Sequence, residues 1–350
     1  MRLADETSGN LRALAFVCTL LVVPIHCWSE AKWFAGTEIA STFEVVVKLL
    51  FSCSISRIAV PFFFVLTGFF LALNFKPTIK WYVQTLKKRT FSICLPFVIW
   101  NALNVVLCFA FGKDGYGEMG IARLSAKVFG WNLYERIGCS QFWYLQTVLI
   151  WVLISPVAIL LLRRIMIAVT VILFLAWGWA VNLMQFPRAL AIGNFLWLSI
   201  GTVAAFSVCM NESTKYTKYM KEKWVKVVVS LVLGVAVVGR IVAGLYRDKL
   251  LYDIFDKGLI VFGLLTLFFN ADGIARLLGR LRSVWGLSFF IYAIHSMAIS
   301  VVVIVISRFE MPSFVGYSMK LVAGVVGSIA IGYLLRHCFP RCFAVLVGGR

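Results

Sequence analysis

Two histidines in apolar surroundings are the first residues of this sequence whose type suits chemistry. His26 ends the run "LLVVPIH", and His295 lies within "LSFFIYAIHSMAIS". Carboxylates are scarce in these apolar runs, so histidine is the side chain best able to move a proton near neutral pH. The alternative for a lone histidine is a structural bridge that bonds a neighbouring helix. Tyr292 precedes His295 by three residues, so the two side chains share a helix face.

Three arginines accompany the histidines. Arg12 stands fourteen residues before His26, a spacing that returns a helix to nearly the same face about 21 Å further along. Arg57 opens "RIAVPFFF", and Arg240 lies within "VVGRIVAGL". Ionisable groups at such depth usually mark a functional path. The alternative for Arg57 and Arg240 is a side chain that extends to an interface, and for Arg240 we expect this alternative.

The elements that must position these residues are transmembrane helices. The chain is 61% hydrophobic and 14% charged, against about 45–50% and 25% in soluble domains. Apolar runs of the length that crosses a bilayer recur throughout. We predict an all-α, polytopic integral membrane protein that forms one membrane-embedded domain over 1–350, with no separate soluble domain. Ten spans are expected near 12–29, 56–75, 90–112, 141–162, 165–181, 190–210, 225–245, 251–270, 285–306 and 315–336.

Basic residues give the orientation of these spans. Of the 34 lysines and arginines, the termini and alternate loops on their side hold 20 and the opposite loops hold 10, which places both termini in the cytoplasm. The net charge of +19 therefore reflects topology and does not indicate nucleic-acid binding. The longest outer loop, 113–140, is long enough for a lid or a re-entrant piece. The nine cysteines read as small apolar residues, and no metal site is predicted.

Five segments, in order, resemble the membrane acyltransferase-3 family of integral-membrane O-acyltransferases. They are "NLRALAFVCTLLVVPIHCW", "RIAVPFFFVLTGFFLA", "LKKRTFSICLPFVIWNAL", "QFWYLQTVLIWVLISP" and "LSFFIYAIH". The sequence is most similar to the fucose-4-O-acetylase-like subgroup. The resemblance covers the chain except for about 165–280, which agrees in hydropathy only. Thr67 replaces the family's serine in the second segment, and Gly68 is retained.

The resemblance implies transfer of an acyl group, such as acetyl, from cytoplasmic acyl-CoA to a hydroxyl of a cell-envelope or lipid-linked glycan. His26 would be the general base or a transient acyl carrier. Arg12, Arg57, Lys87, Lys88 and Arg89 would bind the donor, acetyl-CoA or another acyl-CoA, and no permanently bound cofactor is implied. The family is typical of the bacterial inner membrane, so lipid and glycan are the expected partners.

Further site residues follow from the chemistry of acyl transfer, which requires a hydrogen-bond donor to stabilise the developing oxyanion. Tyr292, His295 and Trp143 are candidates, and Trp143 and Tyr144 are assigned to the acceptor side. An interfacial aromatic belt is the alternative for that pair. The sequence departs from the family pattern twice: the interval from Arg12 to His26 is longer than in relatives, and Ser92 stands where many have a second arginine.

Two other functions fit the same polar helix face, on which Arg12 and His26 lie. A carrier or flippase would use it to line a substrate path, and labelling of a glycan from acyl-CoA would distinguish that protein from an enzyme. A sensor or scaffold would keep the fold without catalysis. The presence of both His26 and Arg89 argues against the latter.

Overall fold

The computed structural model describes residues 5–349, except 39, 112–118, 135–136, 182–186, 210–222 and 310. The α-helices of the described residues, in chain order, are α1 (Asp5–Ile25), α2 (Glu30–Phe34), α3 (Thr42–Lys48), α4 (Ala59–Leu73), α5 (Ile79–Arg89), α6 (Leu95–Ala110), α7 (Ile121–Phe129), α8 (Trp143–Leu162), α9 (Ile165–Ala180), α10 (Ile192–Cys209), α11 (Lys223–Leu245), α12 (Lys249–Phe269), α13 (Ala271–Leu277), α14 (Ser288–Ile306), α15 (Ser313–Val322), α16 (Ser328–Cys338) and α17 (Pro340–Leu346).

The described helices confirm a polytopic all-α membrane protein. Eight helical segments are long and apolar enough to cross a bilayer: Thr7–Ile25, Thr42–Leu73, Ile79–Ala110, Ser140–Leu162, Arg188–Ser207, Lys223–Leu245, Gly279–Ile306 and Ser313–Cys338. The pair α12 and α13 qualifies together but bends by 68°, and α9 is shorter. Each predicted span thus has a described helix, while the count of ten and the orientation stay predictions. Several basic residues used for the orientation lie outside the described residues, namely Arg2, Lys113, Arg136, Lys215, Lys218, Lys221 and Arg350.

Three of the long segments change winding along their length. Leu49–Ser54, Thr90–Cys94 and Ala323–Gly327 are π-helical turns. The first is followed by the 3₁₀ turn Ile55–Ile58, which leads into α4. The second joins α5 to α6, so Lys87, Lys88 and Arg89 form the last turn of a helix and are not in a loop, as the prediction of a cytoplasmic loop over 76–89 had placed them.

The chain folds into two compact units, and the first comprises Met1–Phe63 and Met210–Ile331. In this unit α1 packs against α13, α14 and Ile55–Ile58, while α11 and α12 pair along their lengths. The turn between α11 and α12 contains Arg247 at a φ of 58°. Its guanidinium carbon lies 4.4 Å from the ring centroid of Trp33, which fixes this turn against α2.

The second unit comprises Phe64–Cys209 and Gly332–Arg350. Two glycines bring α4 and α10 into backbone contact. A Cβ atom added at Gly68 would lie 2.0 Å from the carbonyl oxygen of Leu198, and one added at Gly201 would lie 2.0 Å from that of Val65. Only glycine permits such an approach without movement of the backbone.

The outer loop predicted over 113–140 contains a helix. Helix α7 packs against α6, where Leu124 and Val128 contact Val105 and Cys108. It ends at Gly130, which has a φ of 67°, the left-handed conformation common after a helix. This agrees with a folded piece rather than an open connection, although 113–118 and 135–136 lie outside the described residues.

Candidate functional site

The two histidines of the first unit face each other. The ring centroids of His26 and His295 are 5.0 Å apart, with their planes inclined at 53°. His295 is completely buried, whereas His26 is half-buried. The structure therefore gives one imidazole that can meet a substrate and a second, enclosed imidazole behind it.

The tautomer of His295 follows from one hydrogen bond. Its Nδ1 lies 3.1 Å from the carbonyl oxygen of Ile291. Since a carbonyl can only accept, we assign the proton to Nδ1, which leaves a lone pair on Nε2 when the ring is neutral. Nε2 is buried and has no hydrogen-bond partner among the described residues. The pair thus includes a buried acceptor atom, which suits a role in proton handling.

His26 lies immediately beyond the last residue of α1. The sequence predicted a helix through to 29, but α1 ends at Ile25. The His26 amide donates to the Val23 carbonyl, and the Cys27 amide donates to that of Pro24, each at 3.0 Å. Pro24 lacks an amide proton and so weakens the helix ladder at its own position. The end of the helix therefore places the half-buried imidazole of His26 in a turn.

Tyr292 is placed as predicted, on the same side of α14 as His295. Its ring centroid lies 6.3 Å from that of His295, and the side chain is half-buried. Arg12, in contrast, is exposed on α1 and forms no hydrogen bond or ion pair with any described residue. The structure thus brings His26, His295 and Tyr292 together and leaves Arg12 apart from them.

A charged cluster lies in the same unit. Arg57 binds Asp256 through two hydrogen bonds, Nε to Oδ1 at 3.1 Å and Nη2 to Oδ2 at 3.2 Å. Arg240 also pairs with Asp256. The expectation that Arg240 extends to an interface is wrong, because its side chain is only 1% exposed. Asp256 therefore balances part of the positive charge of these two arginines, which lowers the cost of burying them.

Glu30 completes this cluster from the segment that follows His26. The hydroxyl of Tyr252 donates to Glu30 Oε2 at 2.6 Å, and Arg240 Nη2 lies 4.0 Å from the same oxygen. Burial acts to raise the pKa of Glu30, but these contacts, with Cys53 and Arg57, hold it below its ordinary value. Glu30 is therefore an ionised anchor between the His26 segment and α11 and α12.

The second unit contains the predicted basic cluster. Lys87 and Lys88 are exposed, whereas Arg89 is half-buried and interacts electrostatically with Tyr144. The three cations are thus not equivalent. Arg89 is directed toward protein, and the two lysines are directed away from it.

Tyr144 also contacts α4. Its hydroxyl lies 3.0 Å from Thr67 Oγ1, and its ring centroid is 4.8 Å from that of Phe64. Trp143 also contacts Phe64, at 6.0 Å between centroids. A purely interfacial aromatic residue would not require a hydroxyl partner at this position. Tyr144, which the sequence assigned to the acceptor side, therefore lies near Arg89, which it assigned to binding of the acyl donor.

Several site residues were not identified from the sequence. Asp256, Glu30 and Lys320 are not among the residues that the sequence predicted. Asp256, Lys257 and Asp253 form a charged group within an apolar run, and this was the available signal. For Lys320, which donates to the Cys27 carbonyl oxygen at 3.4 Å, a lone lysine within an apolar helix was the only signal.

Comparison with known proteins supports one family. A family model described as "Acyltransferase domain" matches residues 10–337, a range that includes every site residue described above. No curated protein and no solved structure matches the chain. The match covers far more than half of the chain and extends through parts of both units.

Proposed function

The chain belongs to the membrane acyltransferase-3 family, and from that premise we propose that it transfers an acetyl group, or another acyl group, from acyl-CoA to a hydroxyl of a cell-envelope or exported glycan. Membership makes the protein a multi-pass membrane acyltransferase. The donor, the acceptor and the roles of single residues are our proposal. We place the protein in the bacterial inner membrane, with the donor taken from the cytoplasm and with lipid around its spans.

The observation that supports this proposal most directly is the pair of histidines. His26 is half-buried and adjoins the fully buried His295. A sugar hydroxyl is a weak nucleophile, and a neutral imidazole within reach can accept its proton as it attacks. His26 has the accessibility for that role. His295, whose Nδ1 donates to the Ile291 carbonyl oxygen, lies against the His26 ring and helps to position it.

The reaction balances without another reagent. The acceptor oxygen forms a bond to the thioester carbonyl carbon while its proton passes to His26. The tetrahedral intermediate then collapses, the carbon–sulfur bond breaks, and the imidazolium returns the proton to the departing CoA sulfur. Tyr292, near His295, is the candidate hydrogen-bond donor to the oxyanion.

Donor recognition is assigned to cations. Acyl-CoA is a polyanion, and an arginine can hold a phosphate through two parallel hydrogen bonds. Arg89 is the principal candidate because it is half-buried beside Tyr144. Lys87, Lys88 and Arg12 are exposed and would add long-range attraction. Arg57 is held by Asp256, so it would contact the donor only through its remaining N–H groups.

The test is mass spectrometry of surface glycans from a deletion strain. Loss of one acyl mass from one glycan, restored by the wild-type gene, is the expected result. The His26→Ala gene should not restore it, whereas His337→Ala, which changes an exposed histidine, should. An unchanged glycan profile in the deletion strain would contradict the proposal and favour a carrier.

A further inference from the structure

The turn that contains His26 is held from a second direction by α15 and the π-turn that follows it. The Lys320 Nζ donates to the carbonyl oxygen of Cys27 at 3.4 Å. Four residues further on, Gly324 lies against Val23, so closely that an added Cβ would stand 2.5 Å from Val23 Cγ1. These contacts fall on either side of His26, so this part of the chain fixes the turn at both its ends.

The charge of Lys320 is not balanced by a carboxylate. Among the described residues it forms no ion pair, and its hydrogen bond is to a neutral carbonyl. Arg57 and Arg240, by comparison, share Asp256. The positive charge of Lys320 acts on a residue of this turn. Burial raises the pKa of the Cys27 thiol to about 12, and the Lys320 ammonium group acts to lower that pKa.

Other titratable or charged groups lie on the elements packed around α1 and this turn. They are His295 and Tyr292 on α14, Tyr317 on α15, Glu38 and its partner Lys48, which both contact Trp28, Cys53 and Arg57 before α4, Glu30 on α2, and, at the opposite end of α1, Asp272 on α13 and Arg282 before α14. Tyr317 hydrogen-bonds Ser52 at 3.0 Å. Arg57 and Glu30 have counter-charges in the cluster described above. Unlike Arg57 and Glu30, Lys320 therefore has no oppositely charged partner among the described residues.

We propose that Lys320 is a positioning residue for His26: it holds the turn through the Cys27 carbonyl, and its positive charge favours the neutral imidazole. This inference rests on the proposed role of His26 as base. A nearby cation disfavours imidazolium, so more of the enzyme has the form that accepts the hydroxyl proton. The same charge helps the imidazolium formed during attack to release that proton to the CoA sulfur.

The test is the pH dependence of His26 modification by diethyl pyrocarbonate, measured on the purified full chain by peptide mass spectrometry. Neutral imidazole attacks this reagent and becomes carbethoxylated, while imidazolium does not react. The chain has three histidines, so exposed His337 serves as an internal reference. Newly reactive His295, which is fully buried, would report unfolding.

Three variants separate charge from hydrogen bonding. Lys320→Gln removes the charge but keeps an N–H donor, and the midpoint of His26 modification should rise by roughly 1 pH unit, the size of effect that a neighbouring charge produces. Lys320→Arg keeps the charge and should leave the midpoint unchanged. Lys249→Gln, at an exposed lysine paired with Asp253, is the matched control and should also leave it unchanged.

An unchanged midpoint in Lys320→Gln, or an equal shift in Lys249→Gln, would overturn the inference. If Lys320→Gln makes His295 reactive, Lys320→Met, which keeps the apolar stem, takes its place under the same criterion. The modification needs neither acyl donor nor acceptor. Failure of the proposed function would therefore appear in the glycan experiment, and failure of the Lys320 role would appear here.

Discussion

The guanidinium carbon of Arg240 lies 3.9 Å from the ring centroid of Tyr252. A cation over an aromatic face is attracted by the electrons of the ring, and more strongly where water is excluded. Tyr252 is itself fully buried and donates its hydroxyl proton to Glu30. The ring face of Tyr252 thus contacts the Arg240 cation, and its hydroxyl binds the Glu30 carboxylate. These contacts connect the segment after His26 to α11 and α12.

The carboxylate shared by the two arginines should be essential for stability. Asp256→Asn removes the negative charge from between Arg57 and Arg240, and the loss of one partner in a buried ion pair costs about 3–5 kcal/mol. Thermal unfolding in detergent should show this loss. Asp253→Asn breaks an exposed pair with Lys249 and should cost less than about 1 kcal/mol. Equal effects of the two substitutions would contradict this view of the cluster.

His26 and His295 should differ in their contributions to rate. Removal of a general base typically slows a reaction by about 10²–10⁴, so His26→Ala should lower acyl transfer by that amount while the protein still accumulates in the membrane. His295→Ala should cause a smaller loss because His295 acts through its neighbour. The comparison is made with purified protein, with His337→Ala as control. Robust transfer by His26→Ala would leave the histidine as a bridge between helices.

The glycine contacts between α4 and α10 give a prediction about packing. Gly68→Ala and Gly201→Ala each place a methyl group 2.0 Å from a carbonyl oxygen, so the helices must separate. The free energy of unfolding should fall by roughly 1–3 kcal/mol, which thermal unfolding in detergent would measure. The control is Gly234→Ala on α11, where no atom lies within 4 Å of the added Cβ. That change should be neutral or stabilising, since alanine favours helix.

Arg89 should matter more for donor affinity than its basic neighbours. Arg89→Gln should weaken CoA binding by roughly 10- to 100-fold, the effect of losing a charged hydrogen bond. Lys88→Gln removes an exposed charge one position away and should weaken binding only slightly. Isothermal titration with CoA compares the two, and an affinity unaffected by Arg89→Gln would remove that residue from the site.

Glu30 should make stability depend on pH. Because its native pKa lies below the ordinary value, the ionised form stabilises the fold above that ordinary value, near 4.3. The stabilisation is lost as pH falls through the lower native pKa, where the carboxylate becomes protonated. The difference in melting temperature between wild type and Glu30→Gln should therefore narrow below about pH 4. A constant difference across pH 3–7 would show that charge at Glu30 is not involved.

Hydropathy predicted the helical architecture because each span must bury about 20 apolar residues in lipid. It could not predict where helices change winding or end inside the apolar runs. The end of α1 at Ile25 and the π-turn at Thr90–Cys94 lie within predicted spans, where hydropathy does not mark a change of winding. Lys87 to Arg89 were placed in a loop for this reason, since charge alone does not distinguish a loop from the last turn of a helix.

The sequence predicted those site residues whose role follows from residue type and spacing. It did not predict those whose role depends on a partner that is distant in the sequence. His26, His295 and Tyr292 follow from type and spacing, and the structure brings them together. Arg240 was misread because its partners, Asp256 and Glu30, are distant in sequence and a lone arginine gives no sign of them. Lys320 needs the same kind of information, because its hydrogen bond reaches across 293 positions of the chain.

Three π-turns interrupt the long helical segments, at Leu49–Ser54, Thr90–Cys94 and Ala323–Gly327. At such a turn, a change in the number of residues need not change the direction in which later side chains point. Each hydrogen-bonded ring of such a turn encloses one residue more than the α-helical ring does. Deletion of a single residue there can be absorbed by a return to regular winding, whereas deletion elsewhere in the span rotates all later side chains by about 100°. The turn after Lys320 therefore gives this span a position where one residue can be gained or lost in evolution while Lys320 keeps its alignment with the His26 turn.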